Sequence, residues 1–287
     1  MTALIQHLLN GLSYAGILFL VAAGLSLVFG VMGILNLAHG ALYMIGAYVG
    51  WTVAVGLHGN FALAVLAGGL AAVAVGFVLE RGFLRRLYKG LDEQALLTLG
   101  FVYVFTNLTQ WIWGALERPA FAPRVFSRSI GIWDISYPTT RIVIIGTAAA
   151  VALLLWFLEK RTRMGAVVRA GRDDKEMLQA LGVNFDRVSM GVFALGSLLA
   201  GMGGVIGAQV LGANLGLALN VLLVAVAVVV IGGLGSVGGS VLGAVIIGLT
   251  DDFGRAFLPH EFSLFTIYVV MVIILLIRPS GLVPGRG

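Results

Sequence analysis

Cysteine is absent from this chain of 287 residues. Neither disulfides nor thiolate metal sites are therefore available to it. Charge is scarce. Asp, Glu, Lys and Arg make up 11% of the residues, whereas soluble domains carry roughly 25%. With 60% hydrophobic residues, the chain cannot cover a water-facing surface, which excludes an ordinary soluble fold. The first formally charged residue is Glu80. The opening stretch MTALIQHLLN lacks the basic n-region of a secretory signal, and its apolar run continues too long for one. The chain is therefore expected to begin within its membrane domain.

Other absences narrow the chemistry. The lysines are Lys89, Lys160 and Lys175, and none follows glycine. A G-x-x-x-x-G-K-[ST] phosphate loop is missing, so this chain cannot bind ATP in that way. No Asp, Glu, Lys or Arg sits at the centre of an apolar run. Proton-coupled carriers rely on buried ionisable relays. Their lack argues against a proton symporter, though not against a sodium-coupled carrier that uses backbone carbonyls. The net charge of +5 is spread over short loops, where it reads as membrane topology rather than a nucleic-acid face.

What the sequence has in abundance is long apolar runs and 41 glycines. About 20 apolar residues cross about 30 Å of hydrocarbon. Candidate spans cover 8–30, 34–56, 61–79, 94–116, 141–158 and 190–212, with a long apolar region at 218–250 and a last span at 262–277. The expected class is all-α: a polytopic bundle of about eight or nine transmembrane segments. Loops 80–93 and 159–189 hold most of the Lys and Arg and are expected on the cytoplasmic side. This places the N-terminus outside and the C-terminus, with Arg278 and Arg286, inside. Loop 117–140 must then be external despite Arg118, Arg124 and Arg128. Parity requires region 218–250 to start and end outside, which demands a re-entrant loop or a two-helix hairpin. The stretch IGGLGSVGGS at 231–240 lies at its middle, and broken backbone at membrane depth survives only inside protein or along a cavity.

Three motifs stand out. Gly233, Gly235 and Gly238 match G-x-G-x-x-G, with Asp251 further on, but no βαβ unit surrounds them. A dinucleotide site is rejected in favour of two open readings: irregular backbone near a translocation path, or close helix packing. In NLAHGALYMIGAYVG (36–50), Asn36, His39, Tyr43, Gly46 and Gly50 align on one helical face. That stripe either faces a pathway or acts as interhelical glue. No acid is placed to orient His39, so no nucleophile–base pair supports an intramembrane enzyme. Finally, RTRMGAVVRAGRDDKEMLQALGVNFDR (161–187) contains a short amphipathic helix. Asp173 is the expected cap with Glu176 reaching back, Met177, Leu178 and Leu181 form an apolar patch, and Gly182 ends the helix. Such a helix suits docking on a cytosolic partner or lying on its own bundle.

The segments GLSYAGILFLVAAGLSLVFGVMGILNLAHGALYMIGAY, MGAVVRAGRDDKEMLQALGVNFDRV, ALGSLLAGMGGVIGA, VVVIGGLGSVGGSVLGAVIIG and IRPSGLVPG follow one another along nearly the whole chain. In that order they resemble the LivH-type permeases of branched-chain amino acid ABC importers. Ala41 is a departure, since many members carry an acid after the NxAHG motif. The resemblance implies a single permease domain over 1–287 in a bacterial inner membrane, with no catalytic activity of its own. It implies a second, LivM-like permease, two cytosolic ATPases that hold ATP and Mg, and a periplasmic binding protein. It makes loop 165–187 a coupling helix, with Gly165, Arg169, Ala170, Met177, Leu178, Ala180, Leu181 and Gly182 as docking residues. The expected substrate path involves Asn36, His39, Gly40, Tyr43, Gly232, Gly233, Gly235 and Ser236, where broken helix ends offer dipoles suited to a zwitterion. Neither a metal nor a cofactor is expected on this chain. The competing readings are an importer of the same class for urea or short amides, and a stand-alone secondary carrier.

Overall fold

The structure is a computed structural model. It describes all residues except 1, 34, 88–90, 122, 124, 125, 127, 128, 133, 134, 264 and 284–287. The chain is a helix bundle in the order α1 (Thr2–Met32), α2 (His39–Trp51), α3 (Phe61–Gly82), α4 (Leu91–Trp113), α5 (Thr139–Arg161), α6 (Arg163–Asp173), α7 (Lys175–Ala180), α8 (Phe185–Leu211), α9 (Leu217–Gly232), α10 (Val237–Phe257), α11 (His260–Ser263) and α12 (Thr266–Ile277). Among the described residues, six helices are long and apolar enough to cross a membrane: α1, α3 with its extension to Leu87, α4 from Asp92, α5, α8 and α10. Between α4 and α5, a small antiparallel hairpin pairs β1 (Ser129–Ile132) with β2 (Ile135–Pro138).

Local chemistry sets the boundaries. Asn60 caps α3 by accepting from the Leu63 amide at 2.7 Å, and Asn184 caps α8 by accepting from Arg187 at 3.1 Å. Short polar side chains at these positions satisfy amides that have no partner inside the helix. At the other end of α8, Gly212 takes φ +69°, which stops the helix.

Two departures from the apolar pattern matter. The run beginning at 34 is not helical until His39. Gly33 has φ +68°, and the Asn36 side-chain oxygen accepts from the Ala38 amide at 3.1 Å, which favours a turn over a helix. The Leu37 amide in that turn donates to Thr98 Oγ1 on α4. The region 218–250 is likewise two helices, broken at 233–236. Gly232 lies against Gly239 and Gly243 against Val228, so α9 and α10 run antiparallel on either side of the break.

The core is built around α1 and α8. Helix α1 is buried over most of its length, and packs most extensively along α10 and then α8, while α2 and α3 cross α8 on its other side. Lipid tails are as apolar as leucine, so close backbone approach rather than water exclusion holds such helices together. The crossings show it. A Cβ on Gly46 would sit 2.3 Å from the Gly201 carbonyl oxygen, and one on Gly248 would sit 2.5 Å from that of Gly11.

Candidate functional site

The stripe on α2 lies inside the bundle. Asn36, Tyr43 and His39 are buried, and so are Gly40 and Ala41. The turn at 33–38 lets α2 start deep against its neighbours: Gly40 passes so near α9 that a Cβ would stand 2.0 Å from the Ala218 carbonyl oxygen. His39 Nε2 lies against Gly24 of α1, and the Tyr43 hydroxyl fills the notch left by Gly207 of α8. Asn36 Nδ2 and the Tyr43 hydroxyl are buried with no hydrogen-bond partner among the described residues. Buried polar atoms of this kind are costly unless something satisfies them, and they mark the interior of α1, α2, α8 and α9 as the polar heart of the bundle.

The break at 233–236 forms a second cluster. Gly233 and Gly235 have φ +107° and +76°, which side-chain-bearing residues rarely adopt. Ser236 caps α10 by accepting from the Gly239 amide at 3.0 Å. The chain end returns to this point. The amides of Leu282 and Val283 donate to the carbonyls of Ile231 and Gly232, each at 2.9 Å, so the last carbonyls of α9 are not orphaned. Gly281 passes Gly233 at backbone contact, and Gly235 passes Gly30 of α1. One tight knot thus joins the ends of α1, α9 and α12 with the start of α10. Sequence reasoning named the glycines but not the tail. The signal available was IRPSGLVPG, whose Pro279 and Gly281 mark a turn.

Helices α6 and α7 form the candidate coupling pair. The cap of α7 is Asp174, not Asp173: its carboxylate accepts from the Met177 amide at 2.8 Å. Asp173 is still the last residue of α6, and only Asp174 has the extended backbone a cap requires. Gly182, at φ +83°, ends α7 as its position after the helix suggests. The apolar patch divides. Leu178 is buried against Gly171 beside Phe185, while Met177 and Leu181 are 58% and 74% exposed. Leu178 therefore anchors the helix, and the other two are presented outward. Ala170 and Ala180 are also exposed. Gly165 is buried where α6 turns back on the carbonyls of Leu158 and Glu159, and Arg169 is half-buried.

At the opposite end of the bundle, Arg118 serves the fold. It donates to the Trp113 carbonyl at 2.5 Å, its guanidinium stands 5.0 Å over the Trp51 ring, and its backbone pairs with Ala213. Nearby, the Trp51 indole donates to the Pro119 carbonyl and the Trp113 indole to Thr52 Oγ1. This explains an arginine in a loop where the distribution of positive charge predicts few. A similar role falls to Arg141, which donates to Asn10 of α1. The Tyr137 hydroxyl on β2 has its pKa raised by burial, opposed by the nearby Arg141 charge.

Apolar helices joined by backbone-close crossings, with a broken hairpin and a polar interior, define a multi-pass helical membrane protein. The family described as "Branched-chain amino acid transport system / permease component" matches residues 7–275, and the chain belongs to it. The high-affinity branched-chain amino acid transport system permease protein LivH of Escherichia coli K12 is 28% identical, the match covering 98% of this chain and 96% of LivH. BraD of Pseudomonas aeruginosa PAO1 matches to the same extent, at 28% identity over 98% and 96%. LivM of Salmonella typhimurium LT2 is 30% identical over 93% of this chain and 68% of LivM. Among solved structures, PsaBC from Streptococcus pneumoniae in complex with Fab aligns with a TM-score of 0.51 at 16% identity, over 94% of this chain and 91% of that one. That likeness shows the fold alone.

Proposed function

We propose that this chain is a permease subunit of an ATP-driven importer in a bacterial inner membrane, and that it translocates branched-chain or similar neutral amino acids delivered by a periplasmic binding protein. The observation that carries the reading is the end-to-end match with LivH and BraD, each covered over 96% of its length. Relatives of both the LivH and LivM kinds occur in one organism, Escherichia coli K12, which supports a pair of like permeases in one assembly. ATP and Mg belong to two ATPase partners, and the exposed Met177 and Leu181 on a capped helix suit a socket on such a subunit.

In this reading the bundle has nine spans. The apolar α9 and α12, and α2 with the π-helical turn Thr52–Gly56 that extends it, complete the six longer ones. The hairpin α9–α10 starts and ends outside, with its tip at the cytoplasmic face beside the chain end. Asn36, His39, Gly40 and Tyr43 with Gly232, Gly233, Gly235 and Ser236 form the moving wall of the path. Support comes from their polar atoms and irregular backbone, which lie among packed helices rather than on a lipid face.

Reconstitution into proteoliposomes tests this. Labelled leucine uptake is expected only when the ATPases, the second permease, the binding protein and ATP are all present. Uptake by this chain alone under a sodium gradient would overturn the reading in favour of a secondary carrier. ATP-driven uptake of urea but not leucine would replace the cargo while keeping the class.

A further inference from the structure

Burial and composition disagree on one helix. Helices α4 and α5 are the least buried of the long spans, each 17% buried within the chain. A helix bathed in lipid should be strongly apolar, and α5 is, with mean hydropathy 2.3. Helix α4 reaches only 1.3, the value of the half-buried α10. Part of its polarity is turned inward, at Gln94, Thr98 and Thr109, but part is not. Tyr103, Asn107 and Gln110 are all exposed and recur at spacings of four and three, so they form one stripe. Tyr103 and Asn107 also line a shallow depression with Val104 and Leu108. Gly100 continues the stripe, and a Cβ there would meet nothing within 4 Å, so no packing inside this chain accounts for that glycine. Asn107 donates one amide hydrogen to the Tyr103 carbonyl at 2.8 Å and stays exposed.

Polar side chains such as Tyr103 and Asn107, within a span and facing away from their own bundle, face protein or water instead of lipid. We propose that the outward face of α4 is turned to the second permease subunit, and that Tyr103, Asn107 and Gln110 line the passage between the two. The inference rests on the importer reading above. The occupant is a second permease because the relatives include two such proteins in one organism, each aligning with more than nine-tenths of this chain. A like subunit offers a polar face to meet this one, with Gly100 allowing close approach at one end of the stripe. The three side chains supply hydroxyl and amide groups that can exchange hydrogen bonds with a zwitterion's carboxylate and ammonium.

The chain contains no cysteine, so a single introduced thiol is unique in this subunit. Asn107→Cys, Gln110→Cys and, as a lipid-facing control on α5, Leu154→Cys are made in the assembled importer. The thiols are probed with a water-soluble maleimide and with a short amine–thiol cross-linker. The α4 thiols are expected to be labelled and to cross-link to the second permease, while Leu154→Cys does neither. Leucine uptake by Asn107→Leu should fall about tenfold, as for one lost hydrogen bond to a polar substrate group. If both α4 thiols resist labelling and cross-linking as Leu154→Cys does, α4 faces lipid and the proposal is wrong. If no second permease co-purifies and no ATP-driven uptake occurs, the importer reading has failed instead. If the partner is present and uptake is intact but cross-links arise only from α5, the assignment to α4 alone is refuted.

Discussion

The crossing of α2 over α8 is the most exacting packing in the bundle, and Gly204→Ala probes it directly. A Cβ on Gly204 would stand 2.0 Å from the Tyr43 carbonyl oxygen, 1.4 Å inside the 3.4 Å at which ordinary contact begins. The obstacle is backbone, so no rotamer change relieves it. Sliding α2 outward is also obstructed, because Gly46 is in similar contact with Gly201 and Gly40 with Ala218. Overpacking typically costs about 1–3 kcal/mol, and a clash with immovable backbone belongs at the upper end. The expectation is a loss of about 3 kcal/mol, a shift of roughly 150-fold in the folding equilibrium. The control is Gly146→Ala on α5, where a Cβ meets nothing within 4 Å. That change should stabilise by up to about 1 kcal/mol, since alanine is the better helix former. Detergent-solubilised protein titrated with a denaturing detergent, followed by far-UV circular dichroism, measures both. If Gly204→Ala unfolds within about 0.5 kcal/mol of the parent, as an ordinary surface change would, the α2–α8 contact is not the close backbone crossing described.

Outcomes are expected for five further variants. Asp174→Ala should cost about 1 kcal/mol of local stability in α7, seen as faster amide exchange at Met177, whereas Asp173→Ala should leave that amide unchanged. Leu181→Asp should abolish ATPase pull-down with little effect on thermal stability, because the side chain is already 74% exposed; unchanged pull-down and uptake would remove Leu181 from the docking surface. Leu282→Pro deletes the donor to the Ile231 carbonyl and should destabilise by about 1–3 kcal/mol. Leu282→Ala, which keeps the amide, should lose clearly less in the same thermal melt.

Much of this was legible in the sequence because membrane helices obey one-dimensional rules. The charge-free opening of 79 residues, the apolar runs and the loop arginines name the class, and five of the expected spans, with the second half of region 218–250, overlap helices long enough to cross. The cap at α7 was misplaced by one residue because two aspartates are adjacent, and only the backbone angles distinguish them. The division of Met177, Leu178 and Leu181 was hidden for a related reason. Spacing places all three near one face, while burial depends on where Gly171 and Phe185 arrive from other parts of the chain. The β-hairpin at 129–138 left no strong signal in a loop of mixed composition.

The sequence by itself determined that this chain is apolar enough to lie in lipid and belongs with the permeases it resembles. Those properties follow from transfer free energies and short motifs, which add up residue by residue. Tertiary structure alone decided which glycines are packing surfaces and which are turns. It also showed that the chain end closes the α9 break, and that Tyr103, Asn107 and Gln110 of α4 stay exposed while Gln94, Thr98 and Thr109 are buried. Each of these depends on which backbone comes within contact distance of another, and no local propensity encodes that meeting.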